Sequence, residues 1–311
     1  MAFCDNRRIA ILICIIIISL LAFISIFIFN LHQNEVFQHS GDVNQADKTL
    51  KEVLDRLDAR IAEGLGDYTA IITETPVNED GTLNKQLSAV NLYAQSGQAS
   101  LWCRYLVGDE LLPNGRRRNA PTMSIPKNWP QPEIEDVLPQ AINMLPSEYL
   151  VRDGNQVWPF AKGQKWDDLA GRIWFGREQL LVNTRGAKAK LLKDVNRPDL
   201  TGLYVEGHIN KRIEQTYWID PNRDDMPVEL LSHDYSEDGK TVVVKLLTEY
   251  IDYAQLSDGR WYPAHWQMTS EVGKQARKSC REYYLNISTE IKLDEIWFTN
   301  PEGRLQSSVN K

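Results

Sequence analysis

The feature that most constrains this chain is the apolar run from Ile9 to Phe29, 21 residues interrupted only by Ser19 and Ser25. Wound as a helix, such a run is about 30 Å long, the hydrocarbon thickness of a bilayer. The pattern predicts one transmembrane span over residues 9–29. A cleaved signal peptide would need a shorter apolar core and small residues before the cut, and Phe27-Ile28-Phe29-Asn30-Leu31 offers none. Cys14 lies within the run behind the bulky Ile13, which does not suit lipid attachment. Arg7 and Arg8 precede the run and no basic residue follows it until Lys48, so the positive-inside bias leaves residues 1–8 in the cytoplasm. Everything after the signal anchor is then expected outside it.

The net charge of −7 argues against nucleic acid as a partner. Cys103 and Cys280 are the thiols of the exported part. In an oxidising compartment they could form a disulfide, and two buried free thiols are the alternative; sequence leaves both open. Residues 30–45 read as a polar tether. From residue 46 to 62, Ala46, Leu50, Val53, Leu54, Leu57 and Ile61 recur at three- and four-residue spacing, and Gly64 and Gly66 close the run. This predicts an amphipathic helix whose stripe lies against something larger.

From Tyr68 on, the pattern is that of strands. Runs rich in Val, Ile, Tyr, Trp and Thr are separated by Asp80-Gly81, Asn114-Gly115, Asp153-Gly154, Asp238-Gly239 and Asp258-Gly259, residue pairs suited to tight turns. Tyr262, Ala264, Trp266 and Met268 share one face of a strand, with His265, Gln267 and Thr269 on the other. Tyr283, Leu285 and Ile287 likewise alternate with Glu282, Asn286 and Ser288. Parallel βαβ units are not expected, because no regular helices alternate with the strands. Two segments break the pattern. Residues 121–146 hold prolines at 121, 126, 130, 132, 139 and 146, yet Ile134, Val137, Leu138, Ala141, Ile142 and Leu145 keep helical spacing, with Pro139 set to kink or divide the helix. This is a candidate lid. Residues 177–193 read as an ordinary solvated segment. The last residues, 303–311, read as a tail.

The chain holds no zinc helix, nucleophile elbow or phosphate-binding loop, so neither a cofactor nor a metal is implied and no enzymatic activity is expected. His208, His233 and His265 are far apart and read as structural. Asp220, Asp224 and Asp225, around Pro221, read as a turn. Arg116, Arg117 and Arg118 form the sharpest basic patch, a hairpin tip that could dock an acidic partner.

The order of motifs in the region 46–302 resembles the bacterial periplasmic lipoprotein-carrier (LolA-like) family. Tyr149-Leu150-Val151-Arg152-Asp153-Gly154-Asn155-Gln156-Val157-Trp158 is similar to one hairpin of that family. Tyr217-Trp218-Ile219-Asp220-Pro221 followed by Met226-Pro227-Val228 is similar to a second, Asp258-Gly259-Arg260-Trp261-Tyr262-Pro263 to a later strand, and Leu293-Asp294-Glu295-Ile296-Trp297-Phe298-Thr299 to the closing segment. The resemblance implies a mainly β (α+β) fold: an antiparallel curled sheet forming an incomplete barrel with covering helices, here preceded by the transmembrane helix. True carriers of that family are soluble, whereas the predicted span places this chain at the inner (cytoplasmic) membrane with the C-terminal domain in the periplasm or extracytoplasmic space. The expected partner is an acyl chain of a lipid or lipoprotein, held in a cavity that Ile134, Val137, Leu138, Ile142 and Trp266 would line, in the service of lipoprotein sorting. The alternative is a sensor of envelope stress acting by contact with another envelope protein.

Overall fold

The computed structural model describes residues 49–57, 59, 64–108, 121–154, 156–159, 188–206, 213–273 and 277–309. The expected cytoplasmic segment 1–8, span 9–29 and tether 30–45 lie outside these residues, as do Arg116, Arg117, Arg118 and His208. No helix among the described residues is long and apolar enough to cross a membrane.

A helix over 49–57 (α1) opens the described chain. Then follow β1 (Tyr68–Val77), β2 (Ala89–Ser96), β3 (Ala99–Val107), the short β4 (Thr122–Met123), the helix α2 (Ile134–Ala141), β5 (Glu148–Asp153) and β6 (Gln156–Pro159). The second half holds β7 (Lys188–Leu192), β8 (Thr201–Glu206), β9 (Ile213–Asp220), β10 (Met226–Tyr235), β11 (Val242–Gln255), β12 (Trp261–Val272), β13 (Arg277–Ser288) and a closing helix, α3 (Pro301–Val309). All the strands join one 13-stranded sheet in the order β6-β5-β3-β2-β1-β13-β12-β11-β10-β9-β8-β7, with β4 added to β3. It is antiparallel but for the β3–β4 pair, and it curls without closing.

Local chemistry explains the hairpins. Asp238 and Asp258 each accept a hydrogen bond from the backbone N–H two residues on, at Lys240 and Arg260. The glycines that follow them take φ of +68° and +87°, which residues with a Cβ rarely adopt. The long β10–β11 and β11–β12 hairpins turn there.

The two faces of the sheet build separate cores. On the front face, Ala70 and Ile72 of β1, Tyr93, Trp102, Leu150, Tyr250, Trp266, Leu285 and Ile287 pack together. Farther along the same face, Val53 and Leu57 of α1 bury against Leu203, Val205, Tyr217, Ile219 and Leu230. On the back face, Ile134, Val137 and Ala141 of α2 close over Ile71, Leu92, Cys103, Tyr149 and Val151, together with Trp297 and Phe298. Thr73 of β1 and Asn286 of β13 tie this proline-rich segment down through hydrogen bonds to the Pro130 carbonyl and the Glu133 carboxylate.

Three expectations are corrected. The stripe read through Leu145 is α-helical only to Ala141; beyond it the chain goes on in tighter turns, in which Asn143 N–H bonds the Gln140 carbonyl and Met144 N–H the Ala141 carbonyl. Residues 303–311 are not a plain tail, because α3 runs from Pro301 to Val309. Its start is set by Asn300, whose side chain accepts from the Glu302 N–H, with proline in the first position where no donor is needed. Within 177–193, Lys188–Leu192 is the edge strand β7, paired with β8. Its charges mask the strand in the sequence, while Ala189 and Leu191 pack against the cluster under α1.

Candidate binding face

The front face carries the arrangement closest to a site. Its register sets Glu74, Tyr283, Trp266 and Tyr250 in one row across β1, β13, β12 and β11. The Trp266 and Tyr283 rings stack at 5.1 Å, and Tyr250 lies 6.5 Å from Trp266 at a tilt. Tyr253, Trp261 and Tyr262 pack at the end of this row. Burial holds the phenols of Tyr250, Tyr253 and Tyr262 above their ordinary range, so the floor is uncharged at physiological pH.

The next row contains Pro76, Arg281, Met268, Thr248, Leu230, Tyr217 and Leu203. α1 covers its β8–β10 end. Met268, and beyond it Leu246 and Val244, stay half-buried. Together with the aromatic row they form a partly exposed, mainly apolar strip along the sheet, the trough, which Thr248, Ser270 and Ser232 interrupt. One side of it is charged. Arg104 Nη1 donates to Glu74 Oε2 at 2.6 Å and lies 3.4 Å from Asn91 Oδ1, and Arg281 pairs with the other Glu74 oxygen.

α1 is fastened at two points. Arg56 makes a two-pronged contact with the buried Asp225 carboxylate at 3.0 and 3.1 Å. Arg260, from the β11–β12 turn, donates to the Gly64 carbonyl, seven residues along the chain from Leu57 of α1. The segment around Pro221 is thus a turn, as its composition predicts, and it is also the anchor of α1: Asp220 accepts from Asn222 N–H, and Asp224 from Trp261 N–H.

The residues expected to line one cavity are not brought together. Ile134 and Val137 are 1 % and 0 % exposed within the back core, and Leu138 and Ile142 pack against it. Trp266 is on the front face. The sheet lies between them, so α2 covers the back core and is not a lid over Trp266. Of the two states that the sequence leaves open for Cys103 and Cys280, the structure has both thiols free. Cys103 is level with Ile71 and Cys280 with Val77, six residues apart along β1, which is about 20 Å against the roughly 7 Å between Cα atoms that a bridge tolerates. Burial pushes the Cys103 thiol up to about 12, while Cys280 accepts a hydrogen bond from Gln267.

On the back face His265 stacks on Tyr284 at 4.1 Å, with Nδ1 3.6 Å from Asp252 and Nε2 3.4 Å from Glu282. Tyr284 donates to Glu282 at 2.6 Å, and burial together with that bond raises its phenol. Nearby, Lys245, Glu249, Gln267, Thr269, Lys278 and Cys280 line a hollow of about 350 Å³. Its mixed charges suit water better than an acyl chain.

Sequence reasoning placed Trp266 and Met268 on one face but missed Glu74, Arg104 and Arg281. The signal was present in the alternation. Arg281 shares the parity of Tyr283, Leu285 and Ile287, and a charged residue on an otherwise apolar face asks for a partner.

No protein-family model matches the chain, and no curated protein does. Among solved structures, it is similar to a putative outer membrane lipoprotein-sorting protein domain from Vibrio parahaemolyticus, with 14 % identity over 82 % of this chain and 97 % of that one, at a TM-score of 0.39. It is also similar to a DUF1329 family protein from Desulfovibrio piger, with 12 % identity over 81 % of this chain and 98 % of that one, at the same TM-score of 0.39. The likeness to both concerns the fold alone.

Proposed function

We propose that this chain is a non-enzymatic binding domain that holds an acyl chain of a lipid or lipoprotein in the front-face trough. In this reading the run 9–29 anchors it in the inner membrane, the domain lies on the extracytoplasmic side, and the role is in lipoprotein sorting. One observation carries the proposal. The apolar front face extends past α1 through Trp266 and Tyr283 to Met268, Leu246 and Val244, and no described helix covers that last stretch. Full burial of such side chains is worth about 1.5–3 kcal/mol each, so an alkyl chain laid along them gains several kcal/mol. Shape and apolar contact suffice; no bond is made or broken.

The test is organic extraction of the purified full chain followed by mass spectrometry of what it carries. The wild-type protein is expected to release acyl lipid, and Met268→Glu to release severalfold less while melting within a few degrees of wild type, because Met268 is half-buried. A wild-type chain that carries no more lipid than the variant overturns the reading.

A further inference from the structure

The charged side of the trough names the head of the ligand. Glu74 is buried, and each of its two oxygens takes a different guanidinium, Arg104 from β3 and Arg281 from β13. Two cations thus share one carboxylate, and neither makes a second ion pair among the described residues. Arg104 is held deep, at 23 % side-chain exposure, and also meets Asn91. Arg281 is 45 % exposed and spends one contact on Glu74, so most of its five N–H donors remain available. It stands directly across from Met268, two residues along β13 from Tyr283 and on the same face, hence about 7 Å from the aromatic row.

Among the described residues the other carboxylates on this face are distant from Arg281. Glu148 lies opposite Arg104, four strand spacings or about 19 Å from Arg281. Asp234 lies three strands away on β10 and farther along the strands. The half-exposed Arg281 guanidinium therefore sits at the point where an apolar trough meets solvent.

Resting on the binding reading above, we propose that the ligand is a single-chain amphiphile with a carboxylate head, a long-chain fatty acid, whose acid group is taken by Arg281 and whose chain runs over Met268 and the Trp266–Tyr283 stack. One half-exposed guanidinium matches one monoanion. The planar fork of the guanidinium meets both oxygens of a carboxylate, and a charge-assisted bond of this kind is worth about tenfold or more in affinity. Arg104 keeps Glu74 occupied, which prevents Glu74 from claiming both donor edges of Arg281.

Photocrosslinking of the full chain with a diazirine-bearing palmitate tests this, with adducts mapped by mass spectrometry and competed by unlabelled palmitate, hexadecanol or hexadecyl phosphate. Adducts are expected on the front-face residues of β11–β13, with palmitate competing about tenfold better than hexadecanol. Arg281→Gln is expected to remove the preference for the acid over the alcohol, and Arg281→Lys to restore part of it. Equal competition by acid and alcohol in the wild type overturns the head-group assignment and leaves the apolar trough standing. Stronger competition by hexadecyl phosphate overturns the choice of carboxylate. Absence of any adduct on the front face removes the trough reading together with the assignment.

Discussion

α1 and α2 lie on opposite faces of one sheet, and they are held in different ways. α2 sinks Ile134, Val137 and Ala141 into a core completed by Trp297 and Phe298, and its flanks are hydrogen-bonded to β1 and β13. α1 sinks Val53 and Leu57, with Leu50 and Leu54 only partly covered, and depends on Arg56, itself half exposed, for its contact with Asp225. α2 is part of the folding unit, while α1 is a cover held by fewer contacts. That difference bears on function, because the more lightly held helix is the one beside the trough. The more apolar helix, which the sequence presents as the lid, is the one built into the larger core.

The largest expected effect breaks α2. Val137→Asp buries an unpaired carboxylate, at a cost of about 4 kcal/mol or more, and urea denaturation should show the whole domain destabilised in one transition. Loss confined to one part of the sheet would show that α2 is not integral. Leu57→Ala in α1 should cost less, about 2 kcal/mol, because the site can respond by local undocking rather than by holding a cavity. Hydrogen exchange should then quicken in α1 and on β8–β10, with β1–β3 unchanged. Equal quickening throughout would erase the contrast between the helices.

The smallest effect concerns the second fastening. Arg260 holds the Asp258 carboxyl below the ordinary carboxylate range, chiefly through its hydrogen bond. A depressed folded value means that this contribution is present above the unfolded carboxyl value of about 4 and is lost as pH falls through the folded one. Exchange in α1 should therefore be modestly faster in Asp258→Asn than in wild type at neutral pH, since Asp258 is solvated, and the two should converge as pH falls below about 4. A difference that persists at the acid end of the titration would show that Asp258 acts through something other than its charge.

Much of the fold was legible along the chain. The alternation in β12 and β13 gave the correct sharing of faces for Trp266 with Met268 and for Tyr283 with Leu285. The Asp-Gly pairs at 238 and 258 turn hairpins by the side-chain bonds their composition implies. The α1 stripe was readable from its spacing, and Val53 and Leu57 are its buried members. What escaped had a local disguise. α3 follows a cap, Asn300-Pro301-Glu302, hidden by a polar stretch containing Gly303. The Glu74 network joins residues 30 and 207 positions apart in the chain, and no window spans both.

The site itself was the least legible part, for a reason built into strands. A period of two states that Trp266 and Met268 point the same way, but the pattern is symmetric and carries no label for which side a distant helix will cover. By itself the sequence determined strands, turns, an amphipathic α1 and an apolar stripe in α2. Only the pairing of β1 with β13, the two ends of the sheet-forming chain, decided that α1 and the trough share a face while α2 lies behind it. Register between strands more than 200 residues apart is set by the whole packed sheet, and a one-residue slip there would exchange the two faces.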